Sequence, residues 1–171
     1  SSSSAASDVY KRQYEILKYV RKGDEIGYAP TTSVELPKEF QALYTASTTS
    51  IIANKVRKYL YKRGFTDRDF LKYNIGYCTS GQYTGRIIVP SYNESGQLNF
   101  FIGRTYENAF NKYRNPETSK DIIGFENLIN WDRPIVLVEG VFDAIAVKRN
   151  AVPILGKSLS KSLLRKIVDS R

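Results

Sequence analysis

The sequence of 171 residues has no histidine, no methionine and one cysteine. Without histidine there is no serine–histidine–aspartate triad, no cysteine–histidine dyad and no zinc-protease helix, and one cysteine builds neither a zinc ribbon nor an internal disulfide. Any catalysis has to rest on carboxylates, lysine, arginine, tyrosine, the lone thiol or a metal held by oxygen. Long apolar runs are missing too. No stretch of about 18 apolar residues occurs and no apolar h-region opens the chain, so neither a membrane span nor a secretory signal is expected.

Positive charge is plentiful, with 26 Lys and Arg against 17 Asp and Glu, a net +9. The opening six residues are low in complexity, and SDVYKRQ (7–13) resembles a translated sequencing adaptor, so residues 1–13 are set aside as a scar. Removing Lys11, Arg12 and Asp8 with them takes +9 to +8, and the basic character belongs to the rest of the chain. It is concentrated. Residues 55–72 hold seven bases (Lys55, Arg57, Lys58, Lys62, Arg63, Arg68, Lys72) against Asp67 and Asp69, and residues 148–171 hold seven more against Asp169. Two such stretches suit a phosphate backbone, because each neutralised phosphate releases counterions; solvated helix faces would look the same.

Residues 14–50 are heterogeneous, with a short amphipathic pattern in YEILKYV and a Gly/Pro/Thr/Ser-bearing stretch over 23–37, and read as a tether. From Ile51 the period is helical, with Ile52, Val56, Tyr59 and Leu60 on one face and Gly64 placed to stop the helix. Thr66 is an expected N-cap, with Asp67 and Asp69 in the first turn of a second helix through Tyr73. RIIVP (86–90), the turn NESG (93–96) and QLNFFIGR (97–104) predict a β-hairpin, and residues 106–120 a long loop. The last third changes kind. A buried-type strand at 135–138, a helix at 140–150, an apolar run at 152–155 and a helix at 160–170 predict a βαβ unit with a parallel sheet. A soft boundary falls near 132–134.

The most informative string is IVLVEGVFDAIAV (135–147). Its apolar residues deliver Glu139 to the carboxyl end of a strand, where open α/β sheets bind ligands, and Gly140 lets the chain turn into a helix. Asp143 follows by four residues, so the two carboxylates share a face and could hold Mg2+ or Mn2+. An acid facing a helix N-terminal dipole is the plainer reading of the same pattern.

VEGVFDAIAV (138–147) followed by PILGKSLS (153–160) resembles the first half of a TOPRIM domain, the catalytic module of bacterial and phage primases and of type IA and type II topoisomerases. Upstream, GRIIVP (85–90), FFIGRT (100–105), KYRNPETSK (112–120) and GFENL (124–128) stand in the order of the segment that precedes the TOPRIM core of primases, and YLYKRGFTDRDFLKYNIGYC (59–78) resembles the start of that region. The likeness spans nearly half the chain and leans towards phage-type primases. It implies an α/β chain: residues 51–132 form a basic α+β primase subdomain, and residues 133–171 a truncated TOPRIM core with a Rossmann-like parallel sheet.

The resemblance also implies roles. Arg86, Arg104 and Lys112 would line a groove for the template strand and the polyphosphate of an incoming nucleotide, with Lys120 adding to it. Glu139 would coordinate the catalytic metal or take the proton of the attacking 3′-hydroxyl, and Asp143 would order Glu139. Gly156 and Lys157 match a turn near the metal site; LGKS lacks the upstream glycine of a Walker A loop. Tyr113, Asn115 and Glu117 would shape a loop, with Tyr113 placed to stack on a base, whereas Arg114 departs from the aliphatic residue usual there. Tyr77, Tyr83 and Tyr92 are read as half-buried hairpin aromatics. The implied activity is synthesis of RNA primers on a single-stranded DNA template from NTPs with Mg2+ or Mn2+, in the cytoplasm of a bacterial or phage-infected cell, with a replicative helicase as partner and no membrane. Two features of complete primases are not found, the zinc domain and a later Asp-x-Asp strand end, so the chain is expected to be an internal piece that binds DNA weakly and makes no primer. The alternatives are a non-catalytic single-stranded nucleic-acid-binding module, or a TOPRIM nuclease or topoisomerase piece, which explains Glu139 but not the strings from 85 to 128.

Overall fold

Two apolar runs make the halves of the expected hairpin, and in the computed structural model, which describes residues 33–170, they form its longest strands. The low-complexity opening and the 14–20 amphipathic pattern lie outside the described residues. β3 (Arg86–Tyr92) and β4 (Leu98–Thr105) run antiparallel from Arg86↔Thr105 to Ser91↔Phe100, after which Asn99 is bulged out and Tyr92 pairs with Leu98. The turn is held by Asn93, whose Oδ1 accepts from Gln97 N–H at 2.9 Å. β2 (Gly76–Cys78) covers the other edge of β3 only as far as Ile88, so Pro90, which has no N–H, lies beyond the region where a second partner would require one. β5 (Tyr113–Arg114) adds to β4, and β1 (Phe40–Ala42) to β2, giving a five-stranded antiparallel sheet in the order β1-β2-β3-β4-β5. Two expectations are corrected here. The 106–120 segment is not all loop, because it contributes β5. Part of the expected tether is β1 and the buried Leu43 that follows it.

Ser50 caps α1 (Ile51–Tyr61) by accepting from Ala53 N–H at 3.2 Å, and the helix buries Ala53, Val56 and Leu60. Ile52, expected inward, is 37% exposed. At 100° per residue the inward stripe runs 53, 56, 60, and position 52 falls off its edge. Arg57 belongs to the first basic run yet faces the protein. Its guanidinium donates to the carbonyls of Leu43 (3.1 Å), Ala46 (2.7 Å) and Ser47 (3.3 Å) and to Asn54 Oδ1 (2.8 Å), fastening the 43–47 segment to α1. Arg57→Ala is therefore expected to cost about 2 kcal/mol, a fall in melting temperature of roughly 5 °C. An unchanged thermal melt would contradict this anchoring role.

α2 (Asp67–Lys72) opens with a capping box, in which the Asp69 carboxylate accepts from Thr66 N–H at 2.7 Å and from its hydroxyl at 2.8 Å. In the last third, β6 (Val136–Val138) and β7 (Ala151–Pro153) pair in parallel around α3 (Val141–Ala146), and α4 (Lys161–Asp169) follows with Ser160 as its cap. The expected parallel strand pair is present, but the helix is six residues, much shorter than the 140–150 expected. The chain turns back at Lys148, which adopts φ +52°. Asn150 fixes the return by donating to the carbonyls of Asn130 (2.8 Å) and Pro134 (3.2 Å) and accepting from Asn130 N–H (3.0 Å). β6 is also less buried than expected, since Leu137 is 39% exposed.

One core cluster runs through both halves. Val56, Leu60, Phe65, Phe70 and Ile87 on one side of residue 133 pack in the same cluster as Val141, Phe142, Ala144 and Ile145 on the other. A polar tie crosses the same seam, where Lys148 Nζ donates to Asp69. Among the described residues no helix is long and apolar enough to cross a membrane.

Candidate functional site

The end of β6 and the start of α3 bring two carboxylates to one place. Glu139 follows the last residue of the strand, and Gly140 caps the helix. A Cβ on Gly140 would stand 3.4 Å from Asp143 Oδ2, so the Asp143 carboxylate folds back over the strand–helix turn. Facing them are residues from the antiparallel sheet and α1. Arg104, on β4, donates through Nε to Tyr59 Oη at 2.8 Å and through Nη1 to Tyr113 Oη. Its guanidinium lies 4.9 Å from the centre of the Tyr113 ring and 5.0 Å from that of Phe142. Arg63, just past α1, lies over Tyr59 at 4.9 Å and over the same Phe142 ring at 5.7 Å. The result is a cavity of about 340 Å3 lined among others by Arg63, Arg104, Tyr113, Asn115, Glu139 and Asp143. The two carboxylates enter this cavity from the β6–α3 turn, and Arg104, Tyr113 and Asn115 enter it from the β4–β5 wall.

Gly103 makes the β4–β5 wall possible. A Cβ there would sit 2.3 Å from the Arg114 carbonyl oxygen and 3.0 Å from the Tyr83 ring, so any side chain would push β5 away. With none, β5 pairs beside Arg104, and Asn115 Oδ1 accepts from Gly103 N–H at 3.3 Å.

The remaining expected groove residues do not all meet here. Arg86 turns its guanidinium to the carbonyls of Asn111 (2.9 Å) and Lys112 (3.2 Å), so it shapes the loop that carries Lys112 instead of lining the cavity. Burial, with the Arg114 charge nearby, pulls its pKa below the ordinary arginine value. Lys112 is exposed on that loop. Lys120 and Lys157 line a second cavity of about 250 Å3, which shares Ile154, Leu155 and Gly156 with the first. Arg114, unexplained by the sequence, donates to Gln82 O at 2.8 Å and pins β5 to the neighbouring loop.

Three tyrosines pack within the fold: Tyr77, expected half-buried in the hairpin, is buried on β2, Tyr83 meets Phe101 edge-on at 5.1 Å, and the Tyr92 hydroxyl accepts from Asn74 Nδ2 at 2.9 Å. Arg63 and Tyr59 were missed as site residues. The usable signal was their i, i+4 spacing at the helix end before Gly64, which puts them on one face.

The lone thiol is no nucleophile. Cys78 is fully buried, and burial, with Glu39 nearby, pushes its pKa to about 11. A thiol reagent at about pH 8 is expected to label Cys78 only as fast as the protein opens; rapid native-state labelling would contradict its burial. Among the described residues no group of three or more His, Cys, Asp or Glu side chains could hold a metal. Two carboxylates, Glu139 and Asp143, line the cavity described above.

No family model matches the chain. The DNA primase of Thermotoga maritima is 27% identical over 161 residues, an alignment that takes in 67% of this chain and 28% of that protein. An uncharacterised protein of Mycoplasma genitalium is 33% identical over 115 residues, covering 60% of this chain and 50% of the relative. Both of these relatives are bacterial. In fold, the chain matches a DnaG primase catalytic domain bound to single-stranded DNA with a TM-score of 0.62 and 22% identity, over 72% of this chain and 53% of that one. A DNA primase domain from Pseudomonas aeruginosa gives 0.62 and 20%, over 76% and 55%. The mixed antiparallel and parallel α/β architecture is thus that of primase catalytic cores, and the chain is similar to bacterial-type primases over part of their length. It spans about a quarter of the Thermotoga protein and about half of the others.

Proposed function

We propose that this chain, similar in sequence and fold to part of the catalytic region of bacterial DNA primases, carries part of a nucleotidyl-transfer site that joins ribonucleotides on a single-stranded DNA template. One observation carries the reading: the carboxylates of Glu139 and Asp143 and the guanidinium groups of Arg63 and Arg104 line the same 340 Å3 cavity. A transfer between phosphates needs both signs. Bases hold the polyphosphate and the backbone; acids hold a metal or accept a proton.

Arg104 is held by Tyr59 and Tyr113, and the guanidinium N–H groups not used by them would bind an anion in the cavity it lines. Glu139 and Asp143 would hold Mg2+ or Mn2+, which when bound neutralises charge building on the attacking and leaving oxygens. Glu139 is also placed to accept the 3′-hydroxyl proton. Lys120 and Lys157, in the adjoining cavity, and Lys112, exposed on the loop before β5, would add positive charge for template, NTP or primer phosphates. Arg86 acts through the Lys112 loop. The compartment is the cytoplasm, and a replicative helicase is the expected partner of the whole protein.

A second reading, a non-catalytic single-strand-binding module, is favoured by the lack of a third acid beside Glu139 and Asp143 among the described residues. The shared element of both readings is the groove. Replacing Arg104 and Lys112 together with alanine is expected to weaken binding to single-stranded DNA and flatten its salt dependence, by a slope of about 0.7 per lost phosphate contact. An unchanged slope would remove both residues from the contact surface.

A further inference from the structure

The larger of the two flanking cavities of α1 is not the one with the carboxylates. On the opposite flank, between α1, α2 and the 43–48 segment, lies a cavity of about 670 Å3 lined among others by Tyr44, Lys58, Tyr61, Lys62, Asp67 and Phe70. It shares no lining residue with the catalytic cavity. Its aromatic groups are unusually available: Tyr44 is 50% exposed and Tyr61 46%. The Tyr61 ring is nonetheless fixed, because its hydroxyl donates to Asp67 and one side packs on Phe70 with ring centres 5.5 Å apart. A ring already held in place loses little freedom when a flat group stacks on it.

Helical geometry joins this cavity to the other one. With Ala53, Val56 and Leu60 inward, the 100° step puts Lys55, Lys58 and Lys62 along the outer crest of α1. Tyr59 and Arg63 lie on the flank towards Glu139, and Tyr61 on the flank towards Tyr44. A path from one cavity to the other therefore crosses this basic crest, where Lys55 meets Glu107 at 3.9 Å and Lys58 and Lys62 line the Tyr44 cavity, and ends on two tyrosines. Basic groups spaced along a backbone, with aromatic rings for bases, are the chemistry that holds a single strand without reading its sequence.

We propose that the Tyr44–Tyr61 cavity is a second nucleotide position, which takes a base of a single-stranded nucleic acid whose backbone crosses α1 over Lys55, Lys58 and Lys62 from the catalytic cavity. The proposal rests on the reading of the Arg104 cavity as a nucleic-acid site. Its test keeps the two separable.

Fluorescence anisotropy of a labelled oligothymidylate of about 16 nucleotides, long enough for one small fold, is followed with the 171-residue chain and with Tyr44→Ala, Tyr44→Phe, Lys58→Ala/Lys62→Ala and Arg104→Ala. Tyr44 is on the surface, so its loss spares the core. Tyr44→Ala is expected to weaken binding roughly tenfold, the loss of one stacked base, while Tyr44→Phe keeps the affinity. The double lysine variant is expected to flatten the salt slope. If Tyr44→Ala binds as wild type while Arg104→Ala binds weakly, this inference is overturned and the catalytic-cavity reading stands. If Tyr44→Ala binds weakly and Arg104→Ala binds as wild type, the Tyr44 cavity takes a base but the strand does not come from the Arg104 cavity, and the inference as stated is overturned together with the reading it rests on.

Discussion

Asp69→Ala is expected to destabilise the protein by about 2–4 kcal/mol at neutral pH, the largest loss from any single charged residue described. Asp69 is buried, caps α2 through Thr66 and receives Lys148 from the far half of the chain. Alanine leaves the cap open, the Lys148 ammonium without its acceptor, and the seam between the two halves without its polar tie. Burial by itself would raise the Asp69 pKa, but the Lys148 and Thr66 hydrogen bonds together outweigh it, and the pKa is lowered. A depressed carboxyl stabilises the fold above its unfolded value of about 3.9 and loses that contribution as pH falls through the folded value. Wild type should therefore be more stable than Asp69→Asn from neutral pH down to about pH 4, with the gap closing below it. A gap that stays constant down to about pH 3 would show that the carboxylate charge is not what stabilises.

Gly103→Ala should do its damage at the site. The new methyl would have to lie 2.3 Å from the Arg114 carbonyl oxygen, a backbone atom that can yield only if β5 leaves β4. Tyr113 and Asn115 travel with β5, so Arg104 loses one of its two tyrosine partners and the cavity loses a wall. The expected cost is about 1–3 kcal/mol in stability, with a loss of at least about tenfold in single-strand affinity, because a displaced wall removes several contacts together. Tyr113→Phe, which keeps the ring and loses only the hydroxyl, should fall between. If Gly103→Ala binds DNA as tightly as wild type, the β4–β5 pairing does not build the site.

What was legible in the sequence was whatever is decided within a few residues. The NESG turn, the Thr66 cap and the placing of Glu139 at a strand end depend on neighbours in the chain. Arg104 was found because a string of motifs surrounds it. Features set at long range were not legible. α3 ends early because Asn150 reaches back to Asn130 and Pro134, and no propensity in residues 140–150 encodes that. Arg57 and Arg86 read as phosphate-facing charges, and both are spent on backbone carbonyls that only the fold brings near. Tyr59 meets Arg104 across 45 residues, and that contact, more than the local sequence, makes Arg104 rigid.

The central claim is that the Glu139–Asp143 wall handles a metal-bound nucleotide. The most direct measurement is calorimetric titration of the chain with ATP or GTP, with and without Mg2+, for wild type, Glu139→Gln and Asp143→Asn, alongside metal-free binding to single-stranded DNA. The account predicts NTP binding that strengthens with Mg2+ in the wild type, loses the metal-dependent part in Glu139→Gln and weakens in Asp143→Asn, with metal-free DNA binding little changed in either variant. NTP binding that ignores Mg2+, or that is the same in Glu139→Gln as in wild type, would contradict it and leave the chain as a strand-binding module.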